Sequence, residues 1–338
     1  MKALVLEGPG KAVLKRIEAP RNVGADEILL QVRMVGLCGS DLNSYRGRNP
    51  MVSYPRILGH EIAATVADLN PKHPEWQPGT RVTLSPYTNC GKCASCLRGR
   101  PNACQFNETL GVQRDGALTE FIAVPASRLY RADLTLKELC LVEPLTVGFH
   151  AAARGRIAPG DTAAVFGCGG VGLGAVAGAA FRGATVIGVD LDDAKLAIAR
   201  EAGAAHAINT ATGDLHKQLA ELTAGRGPDV VIEAIGLPQT FRAAVEEVAF
   251  TGRVVYIGYA KEQVAYETGL FVQKELDILG SRNAQPEDFR EVIRMLEARR
   301  FPVEEAVTHV IPLADAPGIL EAWDREPTRF TKIMIEVS

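Results

Sequence analysis

Residues 163–180 read AAVFGCGGVGLGAVAGAA, an apolar run that passes into a cluster of glycines and then into small apolar residues. The segment GCGGVG has the spacing G-x-G-x-x-G, directly after a predicted strand and at the start of a predicted helix. Glycines at these positions permit a tight turn and let a pyrophosphate approach the backbone at the helix N-terminus. The pattern therefore predicts a dinucleotide-binding loop. Its expected cofactor contacts are Gly167, Gly169, Gly170, Val171 and Gly172.

A second part of this cofactor site is predicted at the end of the next strand, ATVIGVD (184–190). An acid at Asp190 would accept hydrogen bonds from the adenosine ribose and repel a 2′-phosphate, which favours NAD over NADP. Lys195 is a candidate for the same ribose, with an ordinary solvated lysine as the alternative. Gly236 and Gly258 end later strands at the same sheet edge, where they either contact the cofactor or simply turn the chain.

The rest of the chain divides into two regions of different character. Residues 1–145 contain short β-like runs broken by Gly and Pro, which predicts an irregular β-rich domain. From about residue 146, short apolar β-branched runs alternate with helix-like segments, which predicts a doubly wound parallel sheet. The tail after Gln285 holds further helix and strand patterns that could close either domain.

Composition limits the class of protein. A chain of 338 residues suits about two domains, and 47% hydrophobic residues suffice for packed cores. A net charge of −3 disfavours binding to nucleic acid or to a membrane surface. The uncharged stretch 162–181 could span a bilayer by length, but its glycines favour a strand, a turn and a helix start. No signal peptide is visible, so we expect a cytoplasmic protein.

The seven cysteines include four packed into one short segment, NCGKCASCLRGRPNAC (89–104). An odd total without an export signal argues against disulfides and favours reduced thiols that hold a metal. Four thiolates at this spacing can enclose one tetrahedral, structural Zn²⁺, with an iron–sulfur cluster as the main competitor. A zinc ribbon that binds nucleic acid through Lys92, Arg98 and Arg100 is a weaker alternative. The four expected ligands are Cys90, Cys93, Cys96 and Cys104.

Three further fragments suggest a second metal site. They are GLCGSD with Cys38, LGHE with His60 and Glu61, and EPLTVGFH with Glu143. A thiolate, an imidazole and carboxylates suit a catalytic zinc that keeps one position open for a ligand. Taken singly, each residue could also have no metal-binding role, as a buried cysteine, a core histidine or a surface acid. Zinc in such a site would polarise a bound alcohol.

Together these motifs resemble the zinc-containing medium-chain dehydrogenase/reductase superfamily over essentially the whole chain. The resemblance implies a GroES-like catalytic domain at 1–146 with a structural-zinc lobe at about 88–105, a Rossmann domain at 147–285 and a return to the catalytic domain at 286–338. It also implies NAD and two Zn²⁺ per subunit. Cys38, His60 and Glu61 match the catalytic zinc ligands, and Glu143 matches the acid that binds zinc or its water in the polyol and threonine dehydrogenase branches.

The resemblance further implies a proton path and a subunit assembly. Ser40 matches the hydroxyl that relays the alcohol proton. Many relatives have a histidine at the position of Asn43, which cannot titrate, so here the relay would run through Ser40 and water. The family usually forms dimers or tetramers, which predicts a homo-oligomer.

Within the superfamily, residues 48–61 and 279–289 look most like bacterial L-galactonate/L-gulonate 5-dehydrogenases. We therefore expect oxidation of a secondary hydroxyl of a sugar acid to a ketone. An arginine would suit the substrate carboxylate, and Asn283 is a candidate for the nicotinamide. The candidate arginines are Arg282, Arg46 and Arg114, followed by Arg48 and Arg56. The alternatives are a sorbitol, galactitol or xylitol dehydrogenase, an L-threonine 3-dehydrogenase, and a non-catalytic NAD-binding protein.

Overall fold

The computed structural model describes residues 1–21 and 23–337, without the side chain of Thr328. The chain forms two compact units. The first unit consists of Met1–Glu143 and the chain from Val303 onward, and the second consists of Pro144–Pro302. The polypeptide chain therefore leaves the first unit once, after Glu143, and returns to it at Val303.

The described residues form strands and helices that we number in chain order. The strands are β1 Lys2–Gly8, β2 Lys11–Arg16, β3 Glu27–Leu37, β4 Arg56–Ile57, β5 Glu61–Val66, β6 Arg81–Leu84, β7 Phe121–Pro125, β8 Leu129–Arg131, β9 Thr162–Phe166, β10 Thr185–Asp190, β11 His206–Asn209, β12 Val230–Glu233, β13 Arg253–Tyr256, β14 Asp277–Gly280, β15 His309–Pro312 and β16 Ile333–Glu336. The helices are α1 Gly39–Tyr45, α2 Ala94–Leu97, α3 Leu136–Arg154, α4 Gly170–Phe181, α5 Asp193–Glu201, α6 Leu215–Leu222, α7 Pro238–Glu247, α8 Gly269–Gln273, α9 Pro286–Glu297, α10 Val303–Ala306 and α11 Ala316–Arg325.

The second unit is built on a six-stranded sheet in the order β11-β10-β9-β12-β13-β14. Every neighbouring pair in it is parallel. The strand order reverses between β9 and β12, and this is where a doubly wound sheet binds a dinucleotide. Strands β9 and β12 are almost fully buried, which explains why they read as continuous apolar runs rather than as alternating ones. The predicted doubly wound parallel fold is confirmed.

The first unit contains the irregular β domain. A seven-stranded sheet runs β15-β16-β3-β5-β6-β8 with β7 also paired to β3, and a smaller sheet runs β2-β1-β4. Strand β3 pairs with β5 through Gly36 and Glu61. It also pairs with β16 through Leu37 and Ile333. These registers bring the end of β3, the start of β5 and the residue before β16 to one place.

The apolar core of the first unit depends on the returning C-terminal segment. Its buried cluster includes Leu30 and Ile62 of the N-terminal strands together with Leu320, Trp323 and Ile333 of the last helix and strand. Apolar surface from both chain ends is therefore removed from water in one core. The residue pattern left open which domain this tail closes, whereas the family resemblance implied the catalytic domain. The structure assigns β15, β16, α10 and α11 to the first unit.

Helix α9 lies in the second unit, whereas the sequence-based boundary at 285 placed it in the C-terminal return. Two contacts explain its position. His150 Nδ1 of α3 lies 2.9 Å from Asp288 Oδ2, and Arg182 after α4 pairs with Glu291. The apolar face of α9, including Phe289 and Val292, is fully buried. The tertiary boundary thus falls after this helix.

The uncharged stretch 162–181 forms strand β9, the glycine turn and helix α4. Among the described residues, no helix combines the length and the apolar character that crossing a bilayer requires.

Candidate functional site

Three predicted metal ligands of the first unit converge. Cys38 follows β3, His60 precedes β5 and Glu61 begins it, so the strand pairing places all three side chains together. One ligand atom from each lies within 4.8 Å of the others. His60 is 5% exposed and Glu61 is 1% exposed. A thiolate, an imidazole and a carboxylate at this spacing fit a zinc site with an open position.

Asp41 supports this cluster from behind. Its carboxylate accepts hydrogen bonds from the backbone N–H of Cys38 at 2.9 Å and of Gly59 at 3.4 Å. Its Oδ1 atom lies 3.9 Å from His60 Nδ1. At this distance the carboxylate acts on the imidazole through its charge rather than through a hydrogen bond. Burial opposes the charge on His60, but Asp41 and Cys38 outweigh it and raise the pKa of His60 well above its ordinary value.

Glu61 also forms a buried ion pair. Lys332 Nζ lies 2.7 Å from both Glu61 carboxylate oxygens and donates to the Leu37 carbonyl at 3.2 Å. Burial opposes the charge on Lys332, but the neighbouring Glu61 outweighs it and raises the pKa of Lys332. The returning C-terminal segment therefore contributes a cation to the site.

Glu143 lies beside the cluster without belonging to the three-residue ligand group found in the described chain. Burial raises the pKa of Glu143 to about 7, and the neighbouring His60 opposes this shift. The Tyr87 hydroxyl donates a hydrogen bond to Glu143 Oε1. Burial and the Glu143 charge raise the pKa of Tyr87 well above its usual value, so this hydroxyl is a donor at neutral pH.

Two polar atoms at this site indicate that a further group belongs there. Ser40 Oγ and His60 Nδ1 are buried and have no hydrogen-bond partner among the described residues. An orphaned buried polar atom is costly, by about 1–3 kcal/mol. This environment fits a metal ion that binds a hydroxyl compound, because the hydroxyl group of that compound would be the missing hydrogen-bond partner of Ser40.

The four-cysteine segment forms a compact lobe. The Sγ atoms of Cys93 and Cys96 are 3.5 Å apart, and those of Cys93 and Cys104 are 3.7 Å apart. A tetrahedral Zn²⁺ with Zn–S bonds of about 2.3 Å requires S–S separations of about 3.8 Å. An iron–sulfur cluster, whose cysteines bind different irons, would hold the sulfurs further apart. The geometry thus favours zinc over the competing iron–sulfur cluster.

Local hydrogen bonds prepare this lobe for a metal. Backbone N–H groups of Cys90 and Cys93 donate to the sulfurs of Cys104 and Cys90, each at 3.3 Å. Hydrogen bonds from Ser95 and from the Cys96 backbone lower the pKa of Cys93 to about 5. The thiolate form is the one that binds metals.

In the second unit, the glycine segment forms the turn between β9 and α4. Gly167 has φ +94°, a conformation that side chains disfavour. A Cβ on Gly172 would lie 1.8 Å from the Gly167 carbonyl oxygen, so only glycine fits there. Around Gly169, by contrast, a Cβ would meet no atom within 4 Å. The loop therefore exposes backbone at the N-terminus of α4, as phosphate binding requires.

Asp190 lies at the carboxyl end of β10, adjacent to this turn. Its carboxylate accepts hydrogen bonds from the backbone N–H of Cys168 at 2.8 Å, Leu191 at 2.8 Å and Asp192 at 3.2 Å. A carboxylate has about four lone-pair sites, so capacity for a ribose hydroxyl is left. Lys195 is half-buried on the next helix, α5.

Gly236 and Gly258 lie in the turns that follow β12 and β13 at the same carboxyl edge. A Cβ on Gly258 would lie 2.5 Å from the Gly236 backbone nitrogen, so the two turns pack directly together. Asn283 follows β14 and has φ +53°.

The candidate substrate arginines have different environments. Arg46 Nε donates to Asp324 Oδ1 of α11 at 2.5 Å, and its Nη2 donates to the Asp324 carbonyl at 3.0 Å. Arg56 pairs with Asp115 at 3.2 Å. These ion pairs hold both arginines against acids of the first unit. Arg114 is half-buried in the first unit and Arg282 is exposed in the second.

Sequence reasoning missed three residues of this site: Asp41, Tyr87 and Lys332. Asp41 stands within the quoted GLCGSD segment, where a buried acid beside two ligands could have been suspected. Tyr87 and Lys332 have no local sequence signal, because only the folding of distant segments brings them to Glu143 and Glu61.

A β-rich domain with a thiolate–imidazole–carboxylate cluster, joined to a dinucleotide-binding sheet, defines a metal-dependent dehydrogenase. Comparison with known proteins identifies the family. Residues 24–133 match the alcohol dehydrogenase GroES-like domain, and residues 170–298 match the zinc-binding dehydrogenase domain. The chain belongs to the zinc-type alcohol dehydrogenases of the medium-chain dehydrogenase/reductase superfamily.

The L-galactonate-5-dehydrogenase of Escherichia coli K12 is 32% identical over 96% of this chain and 95% of its own length. The sorbitol dehydrogenase of Bacillus subtilis is 36% identical over 83% of this chain and 81% of its own. Among solved structures, the alcohol dehydrogenase RspB of E. coli CFT073 in complex with NADH has a TM-score of 0.91. It shares 28% identity, and the alignment covers 100% of this chain and 99% of that one.

Proposed function

We propose that this protein oxidises a secondary hydroxyl group of a sugar acid of the L-galactonate/L-gulonate type to a ketone and transfers the hydride to NAD. The single observation on which the chemistry rests is the convergence of Cys38, His60 and Glu61 within 4.8 Å. A non-catalytic NAD-binding protein would have no need for this buried cluster. The relative named L-galactonate-5-dehydrogenase supports the substrate class.

The cofactors of the proposal are NAD and two Zn²⁺. One Zn²⁺ is assigned to the four-cysteine lobe and the other to Cys38, His60 and Glu61. When bound, zinc lowers the pKa of a coordinated hydroxyl, and NAD accepts the hydride.

The chain's own residues position and deprotonate the substrate. Asp41 places a negative charge 3.9 Å from His60 Nδ1, which stabilises the interaction of the ring with a cation. Ser40 Oγ, which lacks another partner among the described residues, accepts the hydroxyl proton and passes it to water. Asn43 cannot titrate, so it takes no part in the relay. Glu143 accepts a hydrogen bond from Tyr87 beside the metal ligands, and its pKa of about 7 lets it exchange a proton near neutral pH.

For the substrate carboxylate, the proposed ligands are Arg282, Arg46 and Arg114. Arginine binds carboxylates through paired N–H groups, which neutral polyols do not require. Asn283 is proposed to reach the nicotinamide.

A neutral polyol is the second candidate substrate. The sorbitol dehydrogenase of B. subtilis is 36% identical to this chain, and acids of the chain already pair with Arg46 and Arg56, two of the cations expected for a sugar acid. L-Threonine, which the same metal ligands would accommodate, belongs in the same test.

The experiment is a substrate panel with zinc-loaded protein, in which NADH formation is followed by absorbance. The panel contains L-galactonate, L-gulonate, sorbitol, galactitol, xylitol and L-threonine, with NADP as the cofactor control. A preference for an aldonate supports the proposal. Turnover of neutral polyols alone would identify the protein as a polyol dehydrogenase, the second candidate. NAD binding without any turnover would support the non-catalytic alternative.

Two variant pairs sharpen the panel. His60→Ala should abolish turnover. His73→Ala should not, because His73 is a half-buried loop histidine paired with Glu75 and outside the proposed site. Arg282→Met should raise the KM for an aldonate about tenfold or more, and should raise the KM for sorbitol by a smaller factor, because only the aldonate has a carboxylate for the arginine to bind. Arg290→Met, on the exposed side of α9, is the matched control.

Homo-oligomeric assembly as a dimer or tetramer and a cytoplasmic location stay predictions from the sequence. Size-exclusion chromatography with light scattering tests the first, and localisation of a tagged full-length chain tests the second.

A further inference from the structure

Glu233 is the last residue of β12, and it is a fully buried acid for which the proposed reaction provides no role. Its Oε1 atom accepts hydrogen bonds from the backbone N–H of Ile235 at 2.9 Å and of Gly236 at 2.8 Å. It also accepts one from the Thr240 hydroxyl at 2.7 Å. The side chain therefore fixes the turn that follows β12 and ties it to the start of α7.

The main chain of the same residue holds the neighbouring turn. The Glu233 carbonyl accepts hydrogen bonds from the backbone N–H of Ile257 at 2.9 Å and of Gly258 at 3.1 Å. One residue thus joins the two turns at the carboxyl ends of β12 and β13.

The second carboxylate oxygen of Glu233, unlike Oε1, accepts no hydrogen bond from the described residues. This Oε2 atom is buried. A Cβ on Gly258 would lie 2.4 Å from it, so the oxygen packs against a turn that tolerates no side chain. The three donors to Oε1 are neutral groups, so the carboxylate introduces a negative charge without a cation among its hydrogen-bond donors. Charges in such a poorly solvated place act over longer distances than charges in water.

The sheet order shows which part of a dinucleotide lies near this charge. The order reverses between β9 and β12, and the two mononucleotide halves bind on opposite sides of that point. Asp190, at the end of β10, marks the adenosine side. The opposite half, which contains the nicotinamide, therefore belongs over the ends of β12 and β13, where Glu233 lies beneath the turns of Gly236 and Gly258.

We propose that Glu233 is a positioning residue for the nicotinamide half of the cofactor, and that its buried negative charge favours NAD⁺ over NADH. The inference rests on the proposed use of NAD. The nicotinamide ring is cationic in NAD⁺ and neutral in NADH, so a fixed anion stabilises the oxidised form selectively. A role limited to shaping the two turns would affect both forms equally.

The test compares the dissociation constants of NAD⁺ and NADH for the zinc-loaded full-length protein without substrate. NADH fluorescence gives one constant and competition by NAD⁺ gives the other. Glu233→Gln keeps the shape and the Oε1 acceptor but removes the charge. We expect its Kd for NAD⁺ to rise about tenfold, the size expected of one charge acting through protein interior, and its Kd for NADH to change less than about twofold. Equal changes in both constants, or no change, would overturn the proposal.

Thr240→Val is the matched variant, because it removes one neutral donor and leaves the charge. Its preference for NAD⁺ should equal or exceed that of the wild type. A reduced preference overturns the proposal even if Glu233→Gln does not fold, which thermal denaturation of the cofactor-free protein reveals.

This experiment separates the inference from the proposed function. If the wild type binds neither NAD⁺ nor NADH, both fail. If it binds both and oxidises an alcohol while Glu233→Gln leaves the affinity ratio unchanged, only the inference about Glu233 fails.

Discussion

Replacing Lys332 by methionine is expected to destabilise the first unit strongly. Lys332 Nζ lies 2.7 Å from both oxygens of Glu61, and the two side chains are only 8% and 1% exposed. Methionine would preserve much of the apolar volume but leave the Glu61 carboxylate buried without its cation. Removal of one partner from a buried ion pair costs about 3–5 kcal/mol.

The chain provides a matched control for this effect. Lys137 Nζ lies 2.6 Å from Glu304 Oε2, a nearly identical distance in the same unit, but these side chains are 33% and 72% exposed. Exposed pairs contribute about 0–1 kcal/mol because water solvates both charges. Lys137→Met should therefore have little effect on the free energy of unfolding.

Thermal denaturation of the proteins without zinc at Cys38, His60 and Glu61 distinguishes the two variants, because a Zn²⁺ bound by Glu61 would itself replace the missing cation. For a unit of this size, each kcal/mol shifts Tm by about 2–4 °C, so Lys332→Met should lower Tm by about 6–20 °C. The double variant Lys332→Met/Glu61→Gln removes both charges and should recover part of the loss. A decrease for Lys332→Met no larger than that for Lys137→Met would refute the reasoning that burial determines the strength of this pair.

Three further substitutions test the other parts of the structure. Asp190→Asn should raise the KM for NAD about ten- to a hundredfold, because the ribose loses hydrogen bonds to a charged acceptor. The same substitution should reduce the preference of the enzyme for NAD over NADP. Steady-state kinetics checks this against Asp192→Asn, which keeps an amide cap on α5. Cys93→Ser should remove one zinc ion per chain, as measured by elemental analysis. Gly148→Ala should lower the free energy of unfolding of the second unit by about 3 kcal/mol, because its Cβ would lie 2.0 Å from the Ala175 backbone nitrogen.

The last two substitutions have internal controls. Cys168→Ser, at a cysteine outside both proposed metal sites, should leave the zinc content unchanged; a fall there would mean that zinc loss reflects unfolding. Gly269→Ala should not destabilise the protein, because a Cβ there meets no atom within 4 Å. Equal stability of the two alanine variants would contradict the assigned close approach at Gly148.

Features that depend on residues close together in the chain could be predicted from the amino-acid sequence. The glycine spacing at 167–172, between an apolar strand and a helix, predicted the nucleotide-binding fold because a tight turn needs glycine at fixed positions. The four-cysteine segment likewise predicted a compact lobe, since its ligands lie within one short loop. The fold and the family followed from these local patterns, and both predictions are confirmed.

Contacts between side chains that are distant in the chain could not be predicted in this way, because they depend on the folded structure. Lys332 reaches Glu61 because β16 pairs with β3, and Tyr87 reaches Glu143 across a long stretch of chain. Arg46, a substrate candidate from the sequence, pairs with Asp324 on the returning helix α11. Strand register and burial fix such partners, and neither is encoded by spacing along the chain. For the same reason the charge of Glu233, an ordinary acid in the sequence, becomes a buried feature of the cofactor edge only after the sheet has formed.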